Sequence, residues 1–419
     1  MHHLTDTVPA DWEYLSEGGA TIVFRYKGPP NPAFEGTVLR LRKCPLYDDT
    51  GRRIPKPLEF ESCEALADRF GLPLDAPPPA PERPDPTVSF QQEIIAQLIP
   101  PAHLPRLEPL ETLGGKTKRG PWLETLAEQC DPQRPLERRQ THGIEQVYPT
   151  PVLATDLVGG QGIAVEIKPK WGFIPSPTHL SDHTRAVKMR TCRFCMHSHL
   201  RTQQGETVAV GYCPLDLYSA DESRVKKALA GLWDAWVASD GSVNSFKVFV
   251  HGKKISPTEA SSVLGIANDL TDPKESLLSA LLPVIMRTPV FRTLARLQRT
   301  LDPLDIEGVA ALLAQAPGPE PFGRLTLRDY RAFLPAYLGA TPPADPVRFH
   351  VVAYLLSATF KDCSVILRVP DGTATVIDLD EKDPRRMRKW QELDWQIACA
   401  YAEVPEAERK LCVDGKGEQ

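Results

Sequence analysis

Residues 162–173 read GIAVEIKPKWGF, a largely apolar run that predicts a β-strand and carries Lys168 and Lys170 near its end. Side chains two positions apart in a strand point to the same face. Two ammonium groups this close repel each other, and lysines are rarely buried without a partner. The run therefore predicts either a solvated strand edge or a site for an anion, and by itself it favours the solvated edge.

The composition is that of a globular protein large enough for two lobes. The chain has 419 residues, of which 42% are hydrophobic and 25% are charged. It contains no apolar run near the ~20 residues of a membrane-spanning helix. The N-terminus lacks the pattern of a signal peptide, and the nine scattered cysteines are typical of reduced thiols. We expect an intracellular monomer, in the nucleus, the cytoplasm or both, with no membrane partner.

The net charge of −5 argues against a nucleic-acid-binding protein. An anionic ligand must therefore be held by local groups of basic side chains. Three such groups occur: Lys168 and Lys170; Lys188, Arg190, Arg193 and Arg201; and Lys382, Arg385, Arg386, Arg388 and Lys389. One basic run is more often a solvated face than a binding site, but each of these runs lies beside an unusual motif.

The order of strand and helix patterns predicts an α+β fold. A smaller, strand-rich N-terminal lobe spans residues 1–155, and a larger mixed C-terminal lobe with helical insertions spans residues 156–419. Strands are predicted at 17–28, 36–45, 162–173, 245–255 and, around the turn PDGT, at 354–370 and 371–383. Helices are predicted at 88–99, 222–239, 384–410 and over most of 274–338. A proline-rich loop is predicted at 72–86, and flexible or irregular structure at 105–150.

Two glycine-containing stretches are candidates for phosphate binding. Residues 17–21, EGGAT, could bring backbone N–H groups close to phosphate oxygens, although an ordinary hairpin turn uses the same residues. Residues 113–117, LGGKT, end like a P-loop. That pattern needs a glycine five positions before Gly115, where Leu110 stands, so we reject it.

The stretch KMRTCRFCMHSHLRTQQG, residues 188–205, combines basic residues with possible metal ligands. Cys192 and Cys195 form a C-x-x-C pair, and His197, His199 and Cys213 follow. A structural zinc site normally needs a second pair, which is missing, so zinc is only weakly supported. Alternatively, helical spacing puts His197 and Arg201 on one face, where they could bind phosphate.

Three aspartates are predicted to meet across the last hairpin. Asp362 lies at the start of one strand, and Asp378 and Asp380 lie at the end of the next, with Lys382 following them on the same face. Carboxylates this close repel each other unless a cation or proton lies among them. Acids suited to Mg²⁺ beside a phosphate-binding lysine are what phosphoryl transfer requires. The alternative is a polar turn with exposed acids.

With these motifs in this order, the chain resembles the inositol-pentakisphosphate 2-kinases. These enzymes use ATP and Mg²⁺ to phosphorylate the 2-hydroxyl of inositol 1,3,4,5,6-pentakisphosphate, which gives inositol hexakisphosphate (phytate). The resemblance covers nearly the whole chain through EGGATIVFRY, VLRLRK, EIKPKWGF, CRFCMHSHL, YCPLDLYS, LDPLDIEG, FKDCSVIL and DLDEK. It implies a two-lobed inositol-phosphate kinase, with the nucleotide on the N-terminal side and the inositol phosphate and Mg²⁺ in the C-terminal lobe.

The resemblance also implies roles for single residues. Asp362 would be the general base that takes the proton of the 2-hydroxyl, and Lys168 would share in catalysis. Mg²⁺ would bind Asp378, with Asp380 nearby. The implied substrate-binding residues are Lys168, Lys170, His197, Arg201, Asn244, Lys382, Arg386 and Trp390. The nucleotide would lie between the lobes against Gly18, Gly19, Ala20, Thr21, Val23, Arg40, Glu166, Lys247 and Ile366.

Several positions depart from the family pattern. Thr21 stands where the family has asparagine, and the usual N-N-F-R is NSFK, in which Lys247 keeps the charge but loses the two-pronged guanidinium. Trp390 replaces a frequent tyrosine, and Arg201 a usual lysine. The interlobe segment VLATDLVGG is shorter than expected. None of these changes removes the base, the metal ligand or the two lysines, so we expect an active enzyme.

Two other functions remain open on the sequence. The altered substrate-side residues would also suit an inositol-polyphosphate kinase of broader specificity. A non-catalytic inositol-phosphate-binding scaffold would keep the basic residues but would not need Asp362 and Asp378.

Overall fold

The computed structural model describes residues 3–18, 21–47, 52, 86–110, 121–145, 151–264, 272–315 and 325–414. These residues form a mixed α+β fold, which confirms the predicted fold class. The predicted proline-rich loop at 72–86 lies outside the described residues, apart from the backbone of Pro86.

The chain divides into two compact units. The first contains Met1–Ser89 and Arg106–Asp156, and the second contains Phe90–Pro105 and Leu157–Gln419. The segment at 90–105, which the sequence analysis placed in the N-terminal lobe, thus belongs to the second unit. Its apolar side chains explain this difference. They are buried in the core of the second unit: Phe90, Ile94, Ile95, Leu98 and Ile99.

The first unit is built on one antiparallel sheet. Its strands are β1 (Trp12–Glu17), β2 (Thr21–Tyr26), β3 (Thr37–Pro45), β4 (Leu107–Pro109), β5 (His142–Ile144) and β6 (Val152–Thr155). They are ordered β1-β2-β3-β6-β4, and β5 pairs with β3. The two predicted N-terminal strands are confirmed, because β2 pairs with β3 from Thr21↔Arg42 to Arg25↔Val38.

Helices in this part of the chain are α1 (Pro86–Glu93), α2 (Pro121–Cys130) and α3 (Leu136–Thr141). The prediction of irregular structure at 105–150 is therefore wrong for residues 121–141. Leu123, Leu126 and Cys130 of α2 are buried, at the spacing of an amphipathic helix. Only three apolar positions carry this period, and the polar residues around them obscured it.

A buried ion cluster fixes the end of β1 next to Gly18. The Glu17 side chain is 1% exposed and contacts Lys43 Nζ at 3.0 Å and Arg134 Nη2 at 3.1 Å. Burial alone would raise the pKa of Glu17, and hydrogen bonds from Arg134 and Lys43 lower it instead. The ionised Glu17 therefore ties β1 to β3 and positions the chain just before Gly18.

The second unit is built on a five-stranded antiparallel sheet. Its strands are β7 (Ile163–Ile167), β8 (Phe246–Val250), β9 (Lys253–Ile255), β10 (Ser364–Arg368) and β11 (Thr373–Ile377). Their order, β11-β10-β7-β8-β9, puts β7 in the centre. Val165 and Ile167 of β7 are fully buried in the core. The predicted final hairpin is confirmed by the pairing of β10 with β11.

The described part of the second unit also contains eleven α-helices. They are α4 (Asp182–Lys188), α5 (Arg193–Gln203), α6 (Pro214–Leu217), α7 (Glu222–Ala238), α8 (Pro257–Leu264), α9 (Pro273–Arg287), α10 (Val290–Thr300), α11 (Asp305–Ala314), α12 (Leu327–Tyr337), α13 (Pro346–Asp362) and α14 (Met387–Ala402). The predicted helix at 222–239 and the mostly helical stretch at 274–338 are confirmed. No single described helix is long and apolar enough to cross a membrane. Among the described residues, one pair of helical segments, α9 with Val290–Ala314, passes the test together by length and composition alone, and it is bent by 59°.

The segment at 354–362 ends helix α13, whereas its apolar run predicted a strand. Every residue from Val351 to Ser357 is buried. A run buried on all sides lacks the period that separates a helix from a strand. Asp362 is therefore the last residue of a helix, and β10 begins at Ser364.

Lys188, counted among the basic side chains available for an anion, is instead the centre of a buried ion network. Its ammonium lies 2.6 Å from Asp305, 2.9 Å from Glu307 and 2.7 Å from Asp394, and its side chain is 2% exposed. Asp394 also contacts Arg193 Nε at 2.6 Å. Burial alone would lower the pKa of Lys188, and Asp305 and Asp394 raise it above its usual value instead. The network joins α4, α5, α11 and α14.

Replacing Lys188 by methionine should destabilise the second unit by about 3–5 kcal/mol, because buried carboxylates lose their counter-charge. Denaturant unfolding measures the change. The matched control is Lys226→Met, since Lys226 pairs with Glu275 at 2.9 Å on the surface, with about half of each side chain exposed. That variant should lose at most about 1 kcal/mol. Equal losses in the two variants would contradict a structural role for the network.

Candidate active site

Four strand ends meet at one edge of the sheet in the second unit. β7 ends at Ile167 and β11 at Ile377, whereas β8 begins at Phe246 and β10 at Ser364. The register pairs Ile167 with both Phe246 and Val365, and it pairs Ser364 with Ile377. We call this boundary the site edge. Lys168 and Asp378 directly follow two of these strand ends, and Lys170, Asp362 and Lys382 lie within a few residues of them.

Lysines and aspartates alternate along the site edge. Lys168 Nζ lies 3.3 Å from Asp378 Oδ2, and Lys170 Nζ lies 3.7 Å from Asp362 Oδ1. Lys382 Nζ lies 2.9 Å from Asp362 Oδ2. Three cations from two distant parts of the sequence are thus held close together by two carboxylates, which offset their mutual repulsion.

These neighbours set the protonation states. Burial alone would raise the pKa of Asp362, and Lys382, Lys170 and Lys168 lower it below its usual value. Burial alone would lower the pKa of Lys168, and Asp378 and Glu166 raise it instead. Burial lowers the pKa of Lys170, and Asp362 only partly offsets that effect. Asp362 is therefore ionised at neutral pH, and Lys170 is the lysine that gains most from an added anion.

Ser364 connects the site edge to the interior of the sheet. Its hydroxyl lies 2.9 Å from Asp378 Oδ2 and 3.1 Å from Glu166 Oε1. Glu166 in turn accepts hydrogen bonds from Lys247 Nζ at 3.0 and 2.9 Å. Ser364 was not predicted as a site residue, although it lies inside the segment FKDCSVIL.

A fully buried amide, Gln298, holds the lysine-bearing turn. Its Nε2 donates to the carbonyl of Lys170 at 3.0 Å and to that of Phe360 at 2.9 Å, and its Oε1 accepts from the N–H of Gly172 at 2.7 Å. Lys170 has a φ of 65°, in the left-handed region that costs a non-glycine residue energy. Gln298 therefore fixes a strained backbone and ties it to the end of the helix that carries Asp362.

A buried charged side chain, Lys361, contacts the ring of Trp171. Lys361 Nζ lies 4.0 Å from the centre of the Trp171 ring and 2.5 Å from Asp302 Oδ2. Burial lowers the pKa of Lys361, and Asp302 acts in the opposite direction. Because Lys361 precedes Asp362, this pair also orients the end of α13. Neither Lys361 nor Asp302 was predicted from the sequence.

Helix α5 contributes His197 and Arg201, as the sequence predicted by their spacing. Burial, followed by Arg193 and Arg201 and further by Lys170, lowers the pKa of His197 to about 4. The imidazole is therefore neutral at physiological pH. Because it lies beside cations, a bound anion would stabilise this group of side chains. Arg201 is paired with Glu206 at 2.6 Å. Its guanidinium thus has a counter-ion within the protein.

Other predicted substrate residues lie near the start of α14 and beside β8. The guanidinium carbon of Arg386 lies 5.6 Å from the centre of the Trp390 ring, a cation–π contact that brings two predicted residues together. Asn244 is exposed, and the carbonyl of the next residue, Ser245, accepts a hydrogen bond from the N–H of Lys168 at 3.0 Å.

Asp378 and Asp380 follow strand β11, which ends at Ile377, whereas the sequence placed them inside the strand; Asp378 has a φ of 61°. Both aspartates are nevertheless exposed. The contacts of Asp378 with Lys168 and Ser364 both use Oδ2. Carboxylate oxygens are what Mg²⁺ prefers, and it usually takes one or two of them together with substrate phosphates. The donor set fits a magnesium ion at Asp378, and the exposed Asp380 follows two residues later.

The predicted nucleotide residues occupy both units, and each group is described by itself. In the first unit, Val23 pairs directly with Arg40, and Thr21 and Arg40 line one small pocket. The N–H of Gly18 donates to the carbonyl of Thr21 at 2.9 Å. Gly19 and Ala20 lie outside the described residues.

In the second unit, the remaining predicted nucleotide residues form one row across the sheet. Glu166 pairs with Lys247 on one side and with Ile366 on the other. Directly paired residues share a face of the sheet, so the carboxylate of Glu166, the ammonium group of Lys247 and the buried side chain of Ile366 lie side by side. Ser364 connects this row to Asp378.

Comparison with known proteins identifies relatives that match most of the chain. The family model described as inositol-pentakisphosphate 2-kinase matches residues 14–396. An inositol-pentakisphosphate 2-kinase from Cryptococcus neoformans is 32% identical over 430 residues, which cover 94% of this chain and 93% of the relative. Enzymes of the same name from Arabidopsis thaliana and Oryza sativa are each 26% identical, covering 95% of both chains and 93% of both chains, respectively.

Replacing Lys382 by methionine should raise the pKa of Asp362, because the nearest positive charge, at 2.9 Å, is removed. Carbon-detected NMR of aspartate carboxyl groups follows this titration, with Asp362→Asn providing the assignment. Lys389→Met, an exposed lysine of the same basic run, is the control and should leave the titration unchanged. An unchanged or lower pKa of Asp362 in Lys382→Met would refute the proposed charge coupling.

Proposed function

The chain belongs to the inositol-pentakisphosphate 2-kinase family and is a kinase, and from this premise we propose that it transfers the γ-phosphoryl group of ATP to the 2-hydroxyl of inositol 1,3,4,5,6-pentakisphosphate. The product is inositol hexakisphosphate. The observation that carries this proposal is the convergence of Lys168, Lys170 and Lys382 on Asp362 and Asp378.

The charge of the site suits this substrate. Pentakisphosphate carries about ten negative charges, at up to about two per phosphate. Lys168, Lys170 and Lys382 supply cations whose present counter-ions are side chains of the same protein. His197 is neutral in the free protein, and its protonation becomes favourable when phosphates surround it. The phosphates of the ligand therefore replace the carboxylates of the protein as counter-ions of these lysines, and they carry more negative charge.

Binding of the substrate prepares Asp362 to act as the base. In the free protein, Lys382 and Lys170 keep the pKa of Asp362 low, which makes its carboxylate a weak base. When phosphates share those lysines, the carboxylate loses part of its neutralisation and its pKa rises. A positioned carboxylate then accepts the proton of the 2-hydroxyl as the phosphoryl group arrives. Positioning and electrostatics supply most of the catalysis in such reactions.

Mg²⁺ would be held by Asp378 and Asp380 and would neutralise charge on the phosphates of ATP. Lys168, beside Asp378, binds the transferred group or the substrate phosphate next to it. The nucleotide contacts proposed in the second unit are Glu166, Lys247 and Ile366. Lys247, which is paired with Glu166, keeps the positive charge of the family's arginine. It presents one ammonium group in place of the two-pronged guanidinium.

A kinase of broader specificity is the second candidate. It is favoured by Trp390, which stacks with Arg386 and offers one N–H donor where the family often has a tyrosine hydroxyl. A site with fewer hydrogen bonds to particular phosphates discriminates less between isomers.

The direct test is turnover of purified protein with ATP and Mg²⁺ over a panel of inositol tetrakis- and pentakisphosphates, analysed by anion-exchange chromatography. We expect inositol hexakisphosphate from the 1,3,4,5,6-isomer at a rate well above all others. Equal rates on several isomers would favour the broader kinase. A folded sample that binds the ligand and transfers no phosphate to any isomer would leave only the scaffold.

Replacing Asp362 by asparagine should lower kcat by about 10²–10⁴-fold, as expected for loss of a general base. The dissociation constant for pentakisphosphate should stay the same or fall, since a negative charge is removed from a polyanion site. Asp371→Asn is the control, because Asp371 lies in the β10–β11 turn and pairs with Arg368 at 3.0 Å. Retained turnover in Asp362→Asn would exclude this residue as the base.

A further inference from the structure

Four cysteine side chains lie close together near the start of helix α5. The Sγ atoms of Cys192, Cys195, Cys213 and Cys412 all lie within 4.8 Å of one another. Cys192 and Cys213 are 3.9 Å apart, and Cys213 and Cys412 are 3.8 Å apart. The first three are buried, and all four are free thiols. None of them belongs to the site edge.

These distances match a metal site and exclude a disulfide. A disulfide brings two sulfur atoms to about 2.05 Å. Four sulfur ligands placed tetrahedrally at about 2.3 Å from a zinc ion lie about 3.8 Å from one another. We propose that Cys192, Cys195, Cys213 and Cys412 bind one structural Zn²⁺, in a closed site with four thiolate ligands. This proposal stands independently of the kinase reaction.

Local structure favours thiolates at two of these positions. Cys192 is the residue just before α5, and Cys195 lies in its first turn. The free N–H groups and the dipole at the start of α5 stabilise negative charge on sulfur. Zinc binding converts four thiols to thiolates and releases up to four protons to the solvent.

The segment that carries Cys412 is fixed without a metal. The N–H of Cys412 donates to the carbonyl of Arg190 at 2.9 Å, and Thr191 Oγ1 donates to the carbonyl of Lys410 at 2.6 Å. Arg224 Nη2 donates to the carbonyl of Val413 at 2.7 Å. These bonds bring the fourth thiol to the other three, so the ligand set is assembled in advance.

The structure also corrects the ligand set that the sequence offered. The missing second pair is supplied by Cys213 and Cys412, and the two candidate histidines are not part of the cluster. His199 packs against Tyr401 with ring centres 5.5 Å apart. His197 faces the cations of α5 and Lys170. The zinc ion would join the start of α5, which carries His197 and Arg201, to the segment after α14.

The test is the metal content of full-length protein produced with zinc in the medium and purified without chelators. We expect one zinc per chain, which is released when a mercurial reagent modifies the thiols and is then detected by a metallochromic dye. Cobalt substitution should give the intense visible and near-ultraviolet thiolate bands of tetrahedral cobalt. Less than about a tenth of an equivalent of zinc, together with no thiolate bands on adding cobalt, would overturn the proposal.

Variants assign the ligands. Cys412→Ser should weaken zinc binding by at least about tenfold and change the cobalt spectrum to that of three thiolates. Cys399→Ser, a half-buried cysteine of α14 outside the cluster, should keep full zinc content and an unchanged spectrum. If Cys412→Ser fails to fold, native mass spectrometry of the wild-type chain decides, because a bound zinc adds its mass. Zinc retained unchanged in folded Cys412→Ser would contradict the proposed ligand set.

Discussion

The site depends on a balance of charge at the end of one sheet. Each of three ammonium groups lies within hydrogen-bonding or ion-pair distance of one of two carboxylates, and an incoming phosphate can replace that carboxylate as its counter-ion. Without the acids, the lysines would repel each other and move into solvent. Without the lysines, Asp362 would have the higher pKa that partial burial imposes on a carboxylate.

This balance needs a rigid backbone, and buried polar groups supply it. Gln298 links the turn at Lys170 to the end of α13. Lys361, which is paired with Asp302, contacts the ring of Trp171. The network around Lys188 fixes α5 against α14 through Asp394 and Arg193. Unpaired buried charges and amides are costly, so these groups specify one arrangement of the site.

The final hairpin was predicted correctly because its two strands are joined by the short turn PDGT, so a local pattern marks it. The helix that ends at Asp362 was missed because its buried apolar run has no distinguishing period. Gln298 and Cys412 were missed for another reason. Each acts through contacts with residues more than a hundred positions away, and no local pattern marks either one.

We propose that the site-edge lysines bind the phosphates of the substrate. Isothermal titration calorimetry of inositol 1,3,4,5,6-pentakisphosphate against the wild-type chain, Lys170→Met and, as control, Lys254→Met of β9 tests it most directly. Loss of one charged contact should weaken binding by about 1.5–3 kcal/mol in Lys170→Met, roughly 10- to 160-fold, and leave the affinity of Lys254→Met unchanged. Wild-type affinity in a folded Lys170→Met would contradict the account.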